Sequence, residues 1–108
     1  MSTYVFDMDG TFCTQQKSEE YHLAKPIPQM IDKMNGLYLA GHHIIIFTAR
    51  GMKTYQKDVS RVIARYDAET RDWLDKNGVL YHELIFGKPI GDVYIDDKGV
   101  NANDFIDL

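Results

Sequence analysis

Four short apolar runs alternate along the chain with longer stretches in which large apolar residues recur at helical spacing. The runs are Tyr4-Val5-Phe6, Ile44-Ile45-Ile46-Phe47, Glu83-Leu84-Ile85-Phe86 and Val93-Tyr94-Ile95. They predict strands, the longer stretches predict helices, and the alternation predicts an α/β fold with a mainly parallel sheet. Met30, Ile31, Met34, Leu37 and Tyr38 place a first helix that opens near Pro28 and stops at Gly41. Val59, Val62, Ile63, Tyr66, Trp73 and Leu74 place a second helical region that stops at Gly78, and the pattern allows a break near Asp67. The stretch from Gly10 to Lys25 reads as a polar loop or hairpin, too short for another domain. There is no repeat, linker or low-complexity segment.

Each predicted strand runs into residues able to do chemistry. Asp7 and Asp9 follow the first, Thr48 the second, Lys88 the third, and Asp96 with Asp97 the fourth. In parallel α/β sheets ligands bind beyond the carboxyl ends of the strands, so the fold itself would gather these groups. Several carboxylates packed together repel one another, and a bound cation relieves that repulsion. Mg²⁺ prefers oxygen ligands and is commonly held by one or two carboxylates plus a substrate phosphate, so this inventory implies both a metal and a phosphate. Asp7 would then attack phosphorus while Lys88 and the metal neutralise the phosphoryl oxygens, and Thr48 would donate a hydrogen bond to them. Asp9 would protonate the leaving oxygen and later activate water.

Composition narrows the partners. At 108 residues, with 44% hydrophobic and 12% aromatic residues, the chain is expected to form one domain over 1–108. A net charge of -4 argues against nucleic-acid binding, which needs basic residues to neutralise phosphates. Cys13 is the one cysteine, so an intramolecular disulfide and a cysteine-rich metal site are excluded. No secretory leader or membrane span is indicated, and a cytoplasmic location is expected.

The ordered set Asp7-Met8-Asp9-Gly10-Thr11, Thr48, Lys88 and Asp96-Asp97 resembles the four motifs of haloacid dehalogenase (HAD) superfamily phosphatases. That resemblance implies Asp7 as nucleophile, Asp9 as general acid and base, and Thr48 and Lys88 as phosphoryl ligands. It also implies Mg²⁺ on the Asp7 carboxylate, the Asp9 carbonyl and an acid of the last pair, in a Rossmann-like three-layer sandwich with strand order 3-2-1-4. Asp97 is the preferred metal ligand, with Asp96 beside it. Gly91-Asp92 also matches the family spelling, but Asp92 would precede the strand and lie roughly 13 Å from Asp96. Lys25-Pro26-Ile27-Pro28, the run Gly41 to Met52, and Gly87-Lys88-Pro89 through Asn101 are similar to bacterial capsule-polysaccharide biosynthesis phosphatases. This implies a place in capsule or surface-polysaccharide biosynthesis more than a particular substrate, with a sugar phosphate or related metabolite expected there. Both places where the superfamily inserts caps are short here, so a capless core is expected, with an open site that a neighbouring subunit of a homo-oligomer could cover.

Each group also has a plainer reading. Lys88 alone could be a solvated loop lysine and Thr48 a strand-end cap; met together they favour function. Arg50, Lys53, Lys57, Arg61 and Arg65 form a basic stretch whose default reading is a solvated helix face. Ala49, Arg50 and Lys53 nonetheless follow the second strand, at the catalytic edge, and are expected to contact substrate. The alternatives are a two-component receiver-like phosphoacceptor domain, a catalytically silent HAD regulatory module, and a phosphomutase. A receiver resembling that family would carry its acceptor Asp on a middle strand, whereas here an acid pair comes first. A phosphomutase without a cap would lack a means of excluding water.

Overall fold

The computed structural model describes residues 1–108. Three of the expected strands form: β1 (Thr3–Phe6), β2 (His43–Thr48) and β3 (Glu83–Phe86). They make one parallel sheet in the order β1-β2-β3, with Tyr4 opposite Ile44 and Thr48 opposite Phe86. Helix α1 (Pro28–Leu39) links the first two strands, and α2 (Val59–Lys76) links the second to the third. Pro28 opens α1 as expected. Helix α2 runs unbroken through Asp67, whose carboxylate pairs with Arg71 one turn on, and Asp58 caps its first turn by accepting from the Arg61 N–H.

Both connections step across the sheet in the same direction, and right-handed crossovers then place α1 and α2 on one face. Asn35 of α1 fastens the pair, donating to the Gly78 carbonyl and accepting from the Leu80 N–H just past α2. The covered face presents Phe6, Ile44, Ile46, Leu84 and Phe86, all buried, with Met30, Met34, Val62 and Leu74 from the helices. The reverse face presents Val5 and Ile85, 59% and 40% exposed. The expected three-layer sandwich is therefore two layers here, because no element lies over the second face.

The fourth strand is the main departure. Val93, Tyr94 and Ile95 form no strand and are 75%, 56% and 95% exposed. Tyr94 turns the segment back on itself: its hydroxyl donates to the Pro89 carbonyl and accepts from the Gly91 N–H, and its ring covers the Lys88 ammonium. The expected order 3-2-1-4 is thus met in its first three places, and one edge of β1 is unpaired. Two short elements escaped the sequence pattern. A 3₁₀ segment (Ser18–Leu23) lies within the stretch read as a loop, and a short helix α3 (Ala102–Phe105) sets Phe105 against Tyr4 and Phe6 of β1.

Trp73 carries the coupling between α2 and the loop that follows the 3₁₀ segment. Its indole N–H donates to the buried Ala24 carbonyl at 2.8 Å. Trp73→Phe leaves that carbonyl unpaired while keeping most of the packing, so urea denaturation should show a loss of about 1–3 kcal/mol; a loss near zero would mean the bond is not a tie.

Candidate functional site

The loop after β1 alternates between core and solvent. Asp7 and Thr11 stay partly open to solvent and Asp9 is largely covered, while Met8, Phe12 and Cys13 are fully buried and anchor the loop. Thr11 and Phe12 N–H groups close a turn on the Met8 carbonyl at 3.0 and 3.1 Å. Gly10, at φ +85°, makes the reversal possible; a Cβ there would meet the Gln15 amide at 2.9 Å. The thiol of Cys13 is pushed up to about 12, first by burial and then by the Asp9 charge, so it stays protonated at neutral pH and is no nucleophile.

Asp7 sits at the end of β1, and Lys88 crosses from the end of β3 to meet it. The ammonium donates to Asp7 Oδ1 at 3.0 Å, and the Thr11 hydroxyl donates to Oδ2 at 3.2 Å. Asp7 keeps a third of its side chain open to solvent. Above the pair lies a cavity of about 460 Å³ whose walls include Asp7, Asp9, Ala49, Lys53, Lys88 and Tyr94. Strand-end residues far apart in sequence thus converge as expected.

Arg50 behaves differently from the expectation. Its side chain is fully buried, and it grips Asp9 with two nitrogens: Nε donates to Oδ1 and Oδ2 at 3.2 and 2.9 Å, and Nη2 donates to Oδ1 at 2.9 Å. Nη1 donates to the Thr70 hydroxyl on α2, and the guanidinium lies 4.6 Å from the centre of the Tyr21 ring. Burial works to lower the Arg50 pKa, but the hydrogen bonds and charge of Asp9 raise it by more, so the guanidinium stays charged. Arg50 thus lines the cavity while its side-chain nitrogens are held by Asp9 and Thr70, which makes it a clamp between these elements. Both oxygens of Asp9 therefore accept from Arg50 while the clamp is closed.

The remaining expected residues are scattered in their outcome. Thr48 ends β2 but is only 1% exposed; its hydroxyl accepts from the Arg50 N–H at 3.1 Å, and it does not line the cavity. Ala49, Arg50 and Lys53 do line it. Asp96 and Asp97 stay in solvent on the segment that did not become a strand. The Lys98 N–H, first, and Asp97, second, hold the Asp96 carboxyl below its usual value.

The oxygens expected to hold Mg²⁺ are engaged by other groups or apart from one another in this arrangement. Lys88 and Thr11 occupy the Asp7 carboxylate, the Gln15 amide donates to the Asp9 carbonyl at 3.0 Å, and no three acidic, histidine or cysteine side chains are arranged to hold a metal ion. The physical reason is the missing fourth strand, which alone would carry Asp96 and Asp97 to the end of β1.

Sequence reasoning missed Tyr21, Gln15, Thr11, Thr70 and Tyr94 as neighbours of these groups. Tyr21 lay in a stretch taken as a polar loop, where an aromatic residue was the available hint; its hydroxyl accepts from the Gly51 N–H at 3.0 Å, and burial raises its pKa. Breaking the clamp exposes its weight. Arg50→Ala leaves the Asp9 carboxylate without its partner and should cost about 3–5 kcal/mol in denaturant unfolding; a loss below about 1 kcal/mol would show that the pair is not what holds these loops.

No family model matches the chain, and no curated protein matches it. A crystal structure of a target protein from Vibrio cholerae is similar to it, with a TM-score of 0.93 and 32% sequence identity, over 100% of this chain and 89% of that one. No helix is long and apolar enough to cross a membrane. The chain belongs to the same family as that Vibrio cholerae protein.

Proposed function

We propose that this protein is a phosphate-monoester hydrolase of the HAD type, working through an aspartyl-phosphate on Asp7 and acting on a small phosphorylated metabolite such as a sugar phosphate. The observation that carries the reading is the Asp7–Lys88 pair at 3.0 Å, formed between two strand ends at the floor of an open cavity. A carboxylate held beside an ammonium is poised for a dianionic phosphate: Lys88 can pass from the Asp7 oxygen to a phosphoryl oxygen and neutralise it there. An Asp7 oxygen then forms the new bond to phosphorus as the ester P–O bond breaks, and water later cleaves the acyl phosphate. Asp9 serves as the acid and base of this reading once it leaves Arg50.

The same reading includes the finer HAD architecture. The free edge of β1 is the place a fourth strand would take, and the segment from Pro89 to Val100 is tethered at both ends beside it, through Lys88 to Asp7 and through Phe105 to Tyr4 and Phe6. Pairing of Val93–Ile95 with that edge would complete the order 3-2-1-4 and bring Asp96 and Asp97 towards Asp7, which is where a Mg²⁺ requirement would arise. The likeness of the motif sequences to capsule-polysaccharide phosphatases supports a place in surface-polysaccharide synthesis and a cytoplasmic setting.

One observation favours a second reading. An Arg50–Asp9 clamp that stayed closed would keep Asp9 from the proton transfers, as in a catalytically silent HAD module. The two readings separate on phosphate release from a metabolite panel with Mg²⁺. Hydrolysis should appear, should vanish with chelator, and should fall by about three orders of magnitude or more in Asp7→Asn. Mg²⁺ should also slow amide exchange at Val93–Asp97. A panel without turnover would favour the silent module, and full activity in Asp7→Asn would remove the nucleophile.

A further inference from the structure

Next to the Asp7 cavity, across Lys53 and Ile90, opens a second cavity of about 610 Å³. Met52, Lys53, Gln56, Lys57 and Ile90 line it. Its charges are of one sign: the two lysines face it with no acid in the lining, whereas the first cavity contains Asp7 and Asp9. Neither lysine takes part in any of the ion pairs of the protein. The acid adjoining Lys57, Asp58, spends its carboxylate on the Arg61 N–H as the cap of α2. In a protein with a net charge of -4, two unpartnered cations lining one cavity form a local reversal of potential.

The backbone beneath them is strained. Gln56 and Lys57 have φ of 50° and 69°, and they are the non-glycine residues with positive φ. Glycine would adopt these angles freely, so keeping side chains here costs stability. The Lys57 N–H holds the turn by donating to the Met52 carbonyl at 2.8 Å, and the Asp58 N–H donates to the Tyr55 carbonyl at 3.0 Å. The strained turn thereby presents Gln56 and Lys57 to the cavity instead of running directly into α2.

We propose that the Lys53–Lys57 cavity is an anion subsite of the candidate active site. It takes a second negative group, a carboxylate or a phosphate, borne by the alcohol part of a phosphate monoester whose phosphoryl group lies at Asp7 and Lys88. Ile90, exposed and shared by both cavities, supplies apolar surface for the carbon skeleton between the two anions, and Lys53, also shared, bridges them. The inference rests on the hydrolase reading and narrows its substrates to esters with two anionic ends.

Calorimetric binding to the Asp7→Asn protein, which removes turnover, tests it with two matched pairs. Phosphogluconate (6-phospho) against sorbitol 6-phosphate differs by a carboxylate, and fructose 1,6-bisphosphate against fructose 6-phosphate differs by a phosphate. The doubly anionic member of at least one pair should bind about tenfold more tightly, and adding Lys57→Gly should remove most of that ratio. The pair that shows the preference identifies the anion. Because glycine relieves the positive φ, the melting temperature of Lys57→Gly should hold or rise, which separates a lost ligand from a lost fold. Equal affinities within both pairs, no measurable binding, or a ratio unchanged by Lys57→Gly would overturn the subsite. Phosphate release from the same four esters by the unaltered protein reports separately: binding preference without release rejects the hydrolase reading and keeps the subsite, and release without preference does the reverse.

Discussion

The buried pair between Arg50 and Asp9 is the interaction on which the arrangement of the site depends. Arg50 has no solvent-exposed side-chain surface, and from one position it reaches the loop after β1 through Asp9, helix α2 through Thr70 and the 3₁₀ segment through Tyr21. Three parts of the chain distant in sequence are thus fixed by a single guanidinium. The cost of burying such a charge is recovered only because every nitrogen of the group finds an acceptor and a ring face covers the plane. Gly51 lets the chain pass directly behind it: φ there is +76°, and a Cβ would meet Tyr66 at 2.6 Å. The clamp orders the loop that presents Asp7 while leaving Asp7 itself free of Arg50.

That division of labour between neighbouring acids gives the site its character. Asp7 is partly open and paired with a lysine, a group that can exchange partners readily because it is a flexible point charge. Asp9 is paired with an arginine whose planar fork holds both of its oxygens. The exchangeable pair lies at the cavity floor, and the fixed one lies behind it. In the proposed reaction a phosphate entering the cavity would compete for Lys88 without disturbing the clamp, so binding would ask little reorganisation of the protein. Proton transfer to the leaving oxygen, and later from water, would ask more, since both need Asp9 to leave Arg50.

Much of this was legible in the residues. The three strands, both long helices and the convergence of Asp7 with Lys88 follow from apolar runs, helical spacing and the rule that parallel sheets gather their strand ends. What was not legible has specific physical causes. Arg50 could not be told from a surface cation, because sequence spacing does not reveal that Asp9, Thr70 and Tyr21 would surround it. Val93-Tyr94-Ile95 has strand composition, yet Tyr94 finds a cation and two backbone partners within its own loop, and local partners prevailed over the open edge of β1. The 3₁₀ segment was hidden because its residues are mostly polar, and only its tie to Gly51 and Arg50 gives it a role.

The claim that Asp7 carries the phosphoryl group is tested most directly by acid-quenching the protein during turnover of a phosphate ester and mapping the adduct by peptide mass spectrometry. A phosphoryl adduct on the peptide containing Asp7, confined to Asp7 by fragmentation, is the predicted result. Turnover with no protein-bound phosphoryl group, or with the group on another residue, would contradict it.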